Sequence, residues 1–333
     1  MSAEAVLTID HLDVVYETEH PVHAVKDVSL TLAPGEILGL AGESGCGKTT
    51  LAYAITRLHR PPAKVASGSI TFHDRDGTDI DLLGLPHEQL RAVRWSKLSM
   101  VFQGAMNALN PVTTIRAQLD DALKEHRRDL GRKERRAIAE DALSRVGVDP
   151  SRITAYPHEL SGGMRQRVMI AMAMLLEPQI MIMDEPTTAL DVVVQREILR
   201  EIVRLRDELG FAVVFITHDL PLLLEISDRI AIMLRGEVVE CDRASVIQHD
   251  PKHPYTQKLL QSFPSLSGSA ARSSAPASTT TRPQSTRRSD DQRDRQPPRQ
   301  GLSHPQGPEA HHLARRRRRV VRAAAREDRG VGG

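Results

Sequence analysis

Nine consecutive residues, 42–50, hold three glycines, a lysine and two threonines in the pattern G-x-x-x-x-G-K-[ST]. Glycines allow the backbone to curl until successive N–H groups point inward, and a helix that follows contributes its positive end, so the stretch suits a triphosphate. In this pattern Lys48 reaches the β- and γ-phosphates, and the Thr49 hydroxyl is a ligand of Mg²⁺. The sequence therefore predicts a nucleotide site, here named the phosphate loop, formed by Gly42, Ser44, Gly45, Cys46, Gly47, Lys48, Thr49 and Thr50.

A tight glycine turn without a ligand is the alternative interpretation of this stretch. Residues 36–40 predict a short buried strand before the loop, and the residues from Thr49 onward have a helical pattern. A strand before the loop and a helix after it are the context that the motif requires. The flanks therefore favour the phosphate site over the plain turn.

Two carboxylates, Asp184 and Glu185, follow an unbroken apolar run at residues 180–183. Such a run predicts a parallel strand that is covered on both faces, and open α/β sheets bind ligands beyond the carboxyl ends of such strands. Asp184 is then expected to hold Mg²⁺ through water, and Glu185 to polarise an attacking water. Two acids that merely cap the next element are the alternative.

Two more polar side chains are expected near the same edge of the sheet. Gln103 follows a predicted strand at residues 99–102, and its amide oxygen could be a ligand of Mg²⁺ or orient a water. His218 follows the predicted strand at residues 211–216 and could contact a γ-phosphate. A lone glutamine is uninformative and a lone histidine is more often structural, so both depend on the neighbouring motifs.

Residues Ser161, Gly162 and Gly163 precede an apolar helix predicted over 168–176. A hydroxyl, flexible backbone donors and a helix N-terminus make a second potential anion site, although a plain helix cap explains the same residues. Tyr16, at the end of an alternating strand at 7–15, is a candidate platform for a purine or simply a half-buried strand aromatic. Spacing does not separate these two interpretations.

Composition limits the class of protein. The 333 residues suffice for one large domain or two, and the two cysteines, Cys46 and Cys241, predict neither a disulfide framework nor a metal site. The longest apolar run, 168–176, is far shorter than the ~20 residues that span a bilayer, and no signal peptide is evident, so we expect a soluble protein in a reducing cytosol. Any membrane role is expected to come through a partner.

The charge is distributed unevenly. Residues 265–333 contain 15 arginines, no lysine and 6 acidic residues, a net charge of +9, which leaves −7 for residues 1–264 out of the total of +2. Ser, Thr, Pro, Gln and Arg dominate this tail, and apolar residues are scarce. A segment of that kind cannot bury enough surface to order itself, so we predict that residues 265–333 are disordered.

The remaining pattern predicts the elements that position these groups. Residues 7–15 and 25–32 alternate as antiparallel strands, and 68–72 with 80–83 and 229–234 with 237–239 predict hairpins. Helices are expected at 118–146, 194–209 and 256–263, the first of them densely charged with one apolar stripe. We assign no chemistry to residues 118–146.

Taken together, these motifs resemble the nucleotide-binding subunit of an ATP-binding cassette (ABC) transporter. The phosphate loop matches the Walker A motif, Gln103 the Q-loop, residues 160–163 the family signature, residues 180–185 the Walker B motif with its catalytic glutamate, residues 189–191 the D-loop, and His218 the switch histidine. The resemblance covers about residues 6–240. It favours Tyr16 as the residue that stacks on adenine, and it adds Asp191 of the D-loop to the nucleotide-binding residues.

The resemblance implies a fold and a mechanism. The fold is an α/β P-loop NTPase core with a mostly parallel sheet, an N-terminal antiparallel β subdomain and a helical subdomain at about 104–175, within a domain at 1–264. Two such domains, identical or related, are expected to pack head to tail, so that Ser161 and Gly163 of one close on the ATP held by Lys48 of the other. Glu185, His218 and Gln103 are then the catalytic residues, and Thr49, Gln103 and Asp184 hold Mg²⁺.

A finer resemblance is to the ATPases of oligopeptide, dipeptide and nickel importers. It rests on residues 103–111, on Met164 where many relatives carry Gln, and on residues 253–256 within a C-terminal segment at about 250–264. It implies two transmembrane permease subunits, an extracytoplasmic substrate-binding protein and a place on the cytoplasmic face of the membrane. Members often carry a later cysteine cluster for an iron–sulfur centre, but no cysteine follows Cys241, so we expect no such cluster.

Alternatives remain open at this point. The cargo could be an oligosaccharide or nickel rather than a peptide. A soluble ABC ATPase that acts on nucleic acid or ribosomes is a rival of another class, although the chain has one complete set of motifs without internal repeats. The basic tail could also bind nucleic acid or anionic lipid, with residues 315–319 as its strongest charge run. Arginine-rich tails are commonly just solvated.

Overall fold

The computed structural model describes residues 5–188 and 190–262. The chain divides into two units, Met1–Gly268 and Ser269–Gly333, and all described residues belong to the first. The predicted disordered tail therefore lies outside the described residues, and so does Ala189 of the predicted D-loop.

The described part of the chain contains ten strands, nine α-helices and three short 3₁₀ helices. The strands are β1 Leu7–Tyr16, β2 Val22–Leu32, β3 Ile37–Ala41, β4 Ala63–His73, β5 Asp79–Asp81, β6 Leu98–Val101, β7 Ile180–Asp184, β8 Ala212–Ile216, β9 Arg229–Leu234 and β10 Glu237–Arg243. The helices are α1 Lys48–Ile55, α2 His87–Val93, α3 Ile115–His126, α4 Arg132–Arg145, α5 Gly162–Met174, α6 Val192–Leu209, α7 Leu220–Ile226, α8 Ala244–His249 and α9 Pro254–Gln261.

The strands form two sheets. An antiparallel sheet has the order β2-β1-β4-β5, and its first two strands are those expected at residues 7–15 and 25–32. The second sheet has the order β10-β9-β3-β8-β7-β6, and all its neighbours are parallel except β9 and β10. Structural neighbours reported below confirm the predicted α/β class.

The second sheet is covered on both faces, which explains the unbroken apolar runs of its strands. In β7, Met181 and Met183 face one core with the helices α3–α7, while Ile180 and Ile182 face another. This other core contains α1 and the antiparallel sheet. Because β3, β7 and β8 run parallel in register, the loops after them meet at one edge of the sheet. The phosphate loop, Glu185 and His218 all follow these strands.

The predicted helices have other bounds in the structure. Residues 118–146 are not one helix but α3 and α4, because Gly131 is the N-cap of α4 and its N–H donates to Glu134 Oε2 at 2.7 Å. The helix expected from residue 168 begins at Gly162, because Ser161 caps it. Of the predicted terminal helix, residues 256–261 lie in α9, and Phe263 lies outside the described residues. Within the described residues, no helix combines the length and apolar character that crossing a bilayer requires.

Candidate active site

The phosphate loop joins β3 to α1, and its backbone conformation requires glycine at two positions. Gly42 and Gly47 have φ of 149° and 110°, conformations that L side chains rarely adopt. A Cβ at Gly42 would lie 2.3 Å from the carbonyl oxygen of Met233, and one at Gly47 would lie 2.3 Å from that of Ala24. The loop is thus pressed against the neighbouring backbone on two sides.

Lys48 folds back over this loop. Its Nζ is buried and donates hydrogen bonds to the carbonyl oxygens of Gly42 at 2.7 Å and Glu43 at 2.9 Å, with Cys46 Sγ at 3.6 Å. Ser44 and Gly45 are exposed at the tip. The ammonium group is therefore held inside the loop at the start of α1, where the helix N-terminus adds to its positive potential.

Asp184 faces Thr49 across the sheet edge. The Thr49 hydroxyl donates to Asp184 Oδ1 at 3.3 Å, while Asp184 Oδ2 is buried with no hydrogen-bond partner in the described part of the chain. Burial raises the pKa of Asp184 above its ordinary value, and the charge of Glu185 adds to the rise against the Thr49 hydrogen bond. A buried carboxylate oxygen beside a hydroxyl is a donor set that suits Mg²⁺, so the residues present fit this ion.

The raised pKa gives a prediction for Asp184→Asn. The folded protein binds the proton of the Asp184 carboxyl group more tightly than the unfolded chain does. The free energy of unfolding therefore falls as the pH rises from the ordinary carboxyl pKa through the pKa of Asp184 in the folded protein. Asparagine keeps an acceptor for Thr49 without the charge. At pH 7 without nucleotide or metal, we therefore expect Asp184→Asn to melt at a higher temperature than the unmodified chain.

Thermal unfolding followed by circular dichroism, with a chelator present, measures this shift. Asp121→Asn is the control, because Asp121 is an exposed carboxylate that pairs with Lys124. A melting temperature below that of the unmodified protein would contradict the unfavourable buried charge assigned to Asp184.

Glu185 follows β7 in a strained backbone conformation, with φ of 46°, and its N–H donates to the carbonyl of Ile216 at 2.9 Å. Three side chains contact its carboxylate. Gln103 Nε2 donates to Oε2 at 3.0 Å, the Thr188 hydroxyl donates to Oε2 at 3.1 Å, and His218 Nδ1 lies 3.1 Å from Oε1. The structure thus brings Gln103, Glu185 and His218 together.

Thr188 is a site residue that sequence reasoning missed. It lies three residues after Glu185 and also donates to the Glu185 carbonyl at 3.3 Å. The only signal in the sequence was its place just after the Asp-Glu-Pro run. A short polar residue there closes the turn after β7 and holds the carboxylate.

A second group of predicted residues lies at the N-termini of α5 and α6. Ser161 Oγ accepts from the N–H of Met164 at 3.2 Å, and Asp191 Oδ1 accepts from those of Val193 and Val194 at 3.2 and 3.1 Å. A Cβ at Gly163 would lie 2.7 Å from Val194 Cγ1, so the two N-termini pack closely. In the part of the chain described, no hydrogen bond joins Ser161–Gly163 to the phosphate loop.

Tyr16 lies at the end of β1, next to the helix that follows the phosphate loop. Its hydroxyl and that of Thr50 are 3.2 Å apart, and its ring is half-buried. The ring is therefore fixed beside the loop. Its role in stacking on adenine stays a prediction.

Two family models match the chain. One, described as "ABC transporter", matches residues 25–188, and the other, described as "Oligopeptide/dipeptide transporter, C-terminal region", matches residues 239–289. The first range holds every predicted motif from Lys48 to Glu185. The second extends across the predicted boundary at residue 264, which stays a prediction.

Curated relatives and a solved structure are similar over most of the chain. A putative peptide import ATP-binding protein of Brucella abortus (strain 2308) is 42% identical over 270 residues, 80% of each chain. The glutathione import ATP-binding protein GsiA of Salmonella choleraesuis is 42% identical over 80% of this chain and 43% of its own. A dimeric structure of the ATP-binding cassette MJ0796, bound to ADP and Pi after hydrolysis, aligns with a TM-score of 0.62 at 28% identity, over 72% of this chain and 98% of that one.

Proposed function

Because the chain belongs to the ABC transporter family of ATP-binding proteins, we propose that it hydrolyses ATP to power an importer for peptides. The observation that carries the proposal is the position of Glu185. It lies directly after Asp184, is held by Gln103, Thr188 and His218, and follows a strand that is parallel to those before the phosphate loop and before His218. A general base, a metal site and the phosphate loop lie at one edge of the sheet, which supports phosphoryl transfer to water.

Each side chain has a distinct part in this proposal. Lys48 moves its hydrogen bonds from the loop carbonyls to the β- and γ-phosphates, and Glu185 accepts the proton of the attacking water. Gln103 Nε2 donates to Glu185, and within the described residues its amide oxygen accepts no hydrogen bond, so this oxygen can serve as a ligand of Mg²⁺. His218 holds the Glu185 carboxylate and contacts the transferred phosphoryl group. Thr49, Asp184 and Gln103 would hold Mg²⁺, which would supply positive charge to offset that of the phosphate oxygens.

The two separate groups of site residues support a head-to-tail dimer. The N-terminus of α5 offers backbone donors and the Ser161 hydroxyl, yet no hydrogen bond links it to the phosphate loop of its own chain within the described residues. In a dimer with a second copy or a related ATPase, Ser161, Gly162, Gly163 and Asp191 of one subunit complete the ATP site of the other. The similar cassette MJ0796 forms a dimer in its solved structure, which supports the pairing of two such chains.

A groove on the surface supports contact with two transmembrane permease subunits. It has a volume of about 490 Å³ and is lined largely by apolar side chains that include Trp95, Met100, Phe102, Met169 and Met172. It lies beside residues 103–111, and Phe102 is 36% exposed. Contact with these subunits would place the chain at the cytoplasmic face of the membrane. The complex would also include an extracytoplasmic substrate-binding protein.

The peptide cargo is supported by two comparisons. The match to the oligopeptide/dipeptide transporter C-terminal region covers residues 239–289, and the Brucella relative is named a peptide import protein. GsiA is named for glutathione, itself a small peptide. We therefore rank peptides above oligosaccharides and nickel as cargo.

Reconstitution tests this function in two steps. The chain is purified with its permease subunits and binding protein, and phosphate release is measured with Mg²⁺ and with a chelator. Uptake into liposomes is then compared for labelled peptides, oligosaccharides and Ni²⁺, with the Glu185→Gln complex as the inactive control. We expect Mg²⁺-dependent hydrolysis and uptake of peptides alone. Uptake of another cargo would refute the peptide assignment, and absence of hydrolysis would refute the ATPase.

A further inference from the structure

Residues 253–256, His-Pro-Tyr-Thr, have a defined place in the fold that the mechanism above does not use. They begin α9, where Pro254 is the first helical residue and His253 Nδ1 accepts from the N–H of Tyr255 at 3.2 Å. Glu240 of β10 accepts from the N–H groups of Lys252 at 2.7 Å and His253 at 3.1 Å. The start of α9 is therefore tied to β10, the edge strand of the second sheet.

The same helix is anchored in the core from its other side. Thr256 is fully buried, and the partly buried side chains of Tyr255, Leu259 and Leu260 pack on the core cluster that contains α3–α7. Two independent attachments fix the direction of the Tyr255 ring. The attachments of α9 therefore set the position of the Tyr255 hydroxyl.

The Tyr255 hydroxyl reaches the phosphate loop. It accepts a hydrogen bond from the N–H of Glu43 at 3.1 Å, between residues 212 positions apart in the sequence. The carbonyl of Glu43 accepts from Lys48 Nζ at 2.9 Å. Glu43 is therefore held at its N–H by α9 and at its carbonyl by the phosphate-binding lysine.

We propose that Tyr255 is a positioning residue for ATP binding, which rests on the proposed function: its phenol oxygen fixes the first turn of the phosphate loop in the shape that receives the triphosphate. Residues 43–45 are exposed, and the Glu43 carbonyl also accepts from the N–H of Cys46 at 3.3 Å. A loop that is ordered before binding loses less conformational entropy when the ligand arrives. Residues 253–256 thereby connect the C-terminal segment to the nucleotide.

Tyr255→Phe tests this role, because it keeps the ring and removes the acceptor. We expect the KM and the dissociation constant for ATP to rise about 3- to 10-fold, the range that one hydrogen bond contributes. The kcat should stay within about twofold, because Tyr255 makes no hydrogen bond to Glu185, Gln103 or His218 in the described residues. Hydrogen exchange of the Glu43 amide in the nucleotide-free protein should be faster by a similar factor.

Gln257→Ala is the matched control on the same helix. It removes the hydrogen bond from Gln257 Nε2 to the carbonyl of Pro251 at 2.8 Å but leaves the Tyr255 oxygen in place. Its KM and Glu43 exchange should match those of the unmodified chain. An unchanged KM or unchanged Glu43 exchange in Tyr255→Phe would overturn the proposal, and so would equal effects in both variants. An unmodified chain that binds no ATP would refute the proposed function instead, while Glu43 exchange would still report on the Tyr255 contact.

Discussion

The Glu185→Gln variant should bind ATP and Mg²⁺ as tightly as the unmodified chain and hydrolyse ATP about 10² to 10⁴ times more slowly. That factor is the usual contribution of a general base. Glutamine has nearly the same shape, and its amide can still contact Gln103, Thr188 and His218, which surround the carboxylate at 3.0–3.1 Å. It has no carboxylate to accept a proton from water. The fold and the metal site at Asp184 should therefore survive.

Single-turnover hydrolysis and ATP binding, measured on the same preparations, separate these two effects. Glu208→Gln is the control, because Glu208 is an acidic residue of α6 that pairs with Arg204 away from the site. Hydrolysis within tenfold of the unmodified rate in Glu185→Gln would remove Glu185 from the role of base. A loss of ATP binding would instead assign it to the nucleotide site.

The Ser161→Arg variant should lose turnover by at least about 10²-fold, the loss that follows removal of one donor to the transition state, while the single subunit still binds ATP. Ser161 caps α5 and lies apart from the phosphate loop of its own chain, so Lys48 and Thr49 are unaffected. An arginine at this helix N-terminus would place bulk and positive charge where the second subunit must close. Ser161→Ala, which removes only the hydroxyl and its cap of about 1 kcal/mol, should reduce turnover less.

Mixing two inactive variants distinguishes a shared site from a site within one chain. Lys48→Ala keeps residues 161–163 intact, and Ser161→Arg keeps the phosphate loop intact, so a mixed dimer contains one complete site. If the subunits are identical, independent and mix freely, about a quarter of the unmodified activity should return, because half the dimers are mixed and each has one of two sites. If the mixture stays inactive although mixed dimers are present, each chain works alone.

Much of this site follows from the sequence because short motifs fix their own local structure. The phosphate loop, Glu185 and His218 follow buried strands, and Asp184 is the last residue of one. Parallel strands bring their carboxyl ends together at one edge of the sheet. The placement of Gln103, Glu185 and His218 at one edge agrees with that expectation. Their chemical roles stay predictions until they are tested.

The features that the sequence did not reveal depend on contacts between distant segments. Nothing near Tyr255 indicates that its hydroxyl meets Glu43, and nothing near Asp184 indicates that one carboxylate oxygen is left without a partner in the described structure. The break between α3 and α4 was missed for a local reason. The charged pattern continues across Gly131, and a glycine inside a helical pattern is often tolerated.

The most direct test of the account is a structure of the Glu185→Gln protein with ATP and Mg²⁺, alone or with its sister ATPase. The distance to measure runs from Ser161 Oγ to the nearest γ-phosphate oxygen. We predict a hydrogen bond of about 2.5–3.0 Å to the ATP that is held by Lys48 of the opposite subunit. A closed, ATP-loaded assembly in which Ser161 lies far from every triphosphate would contradict the account.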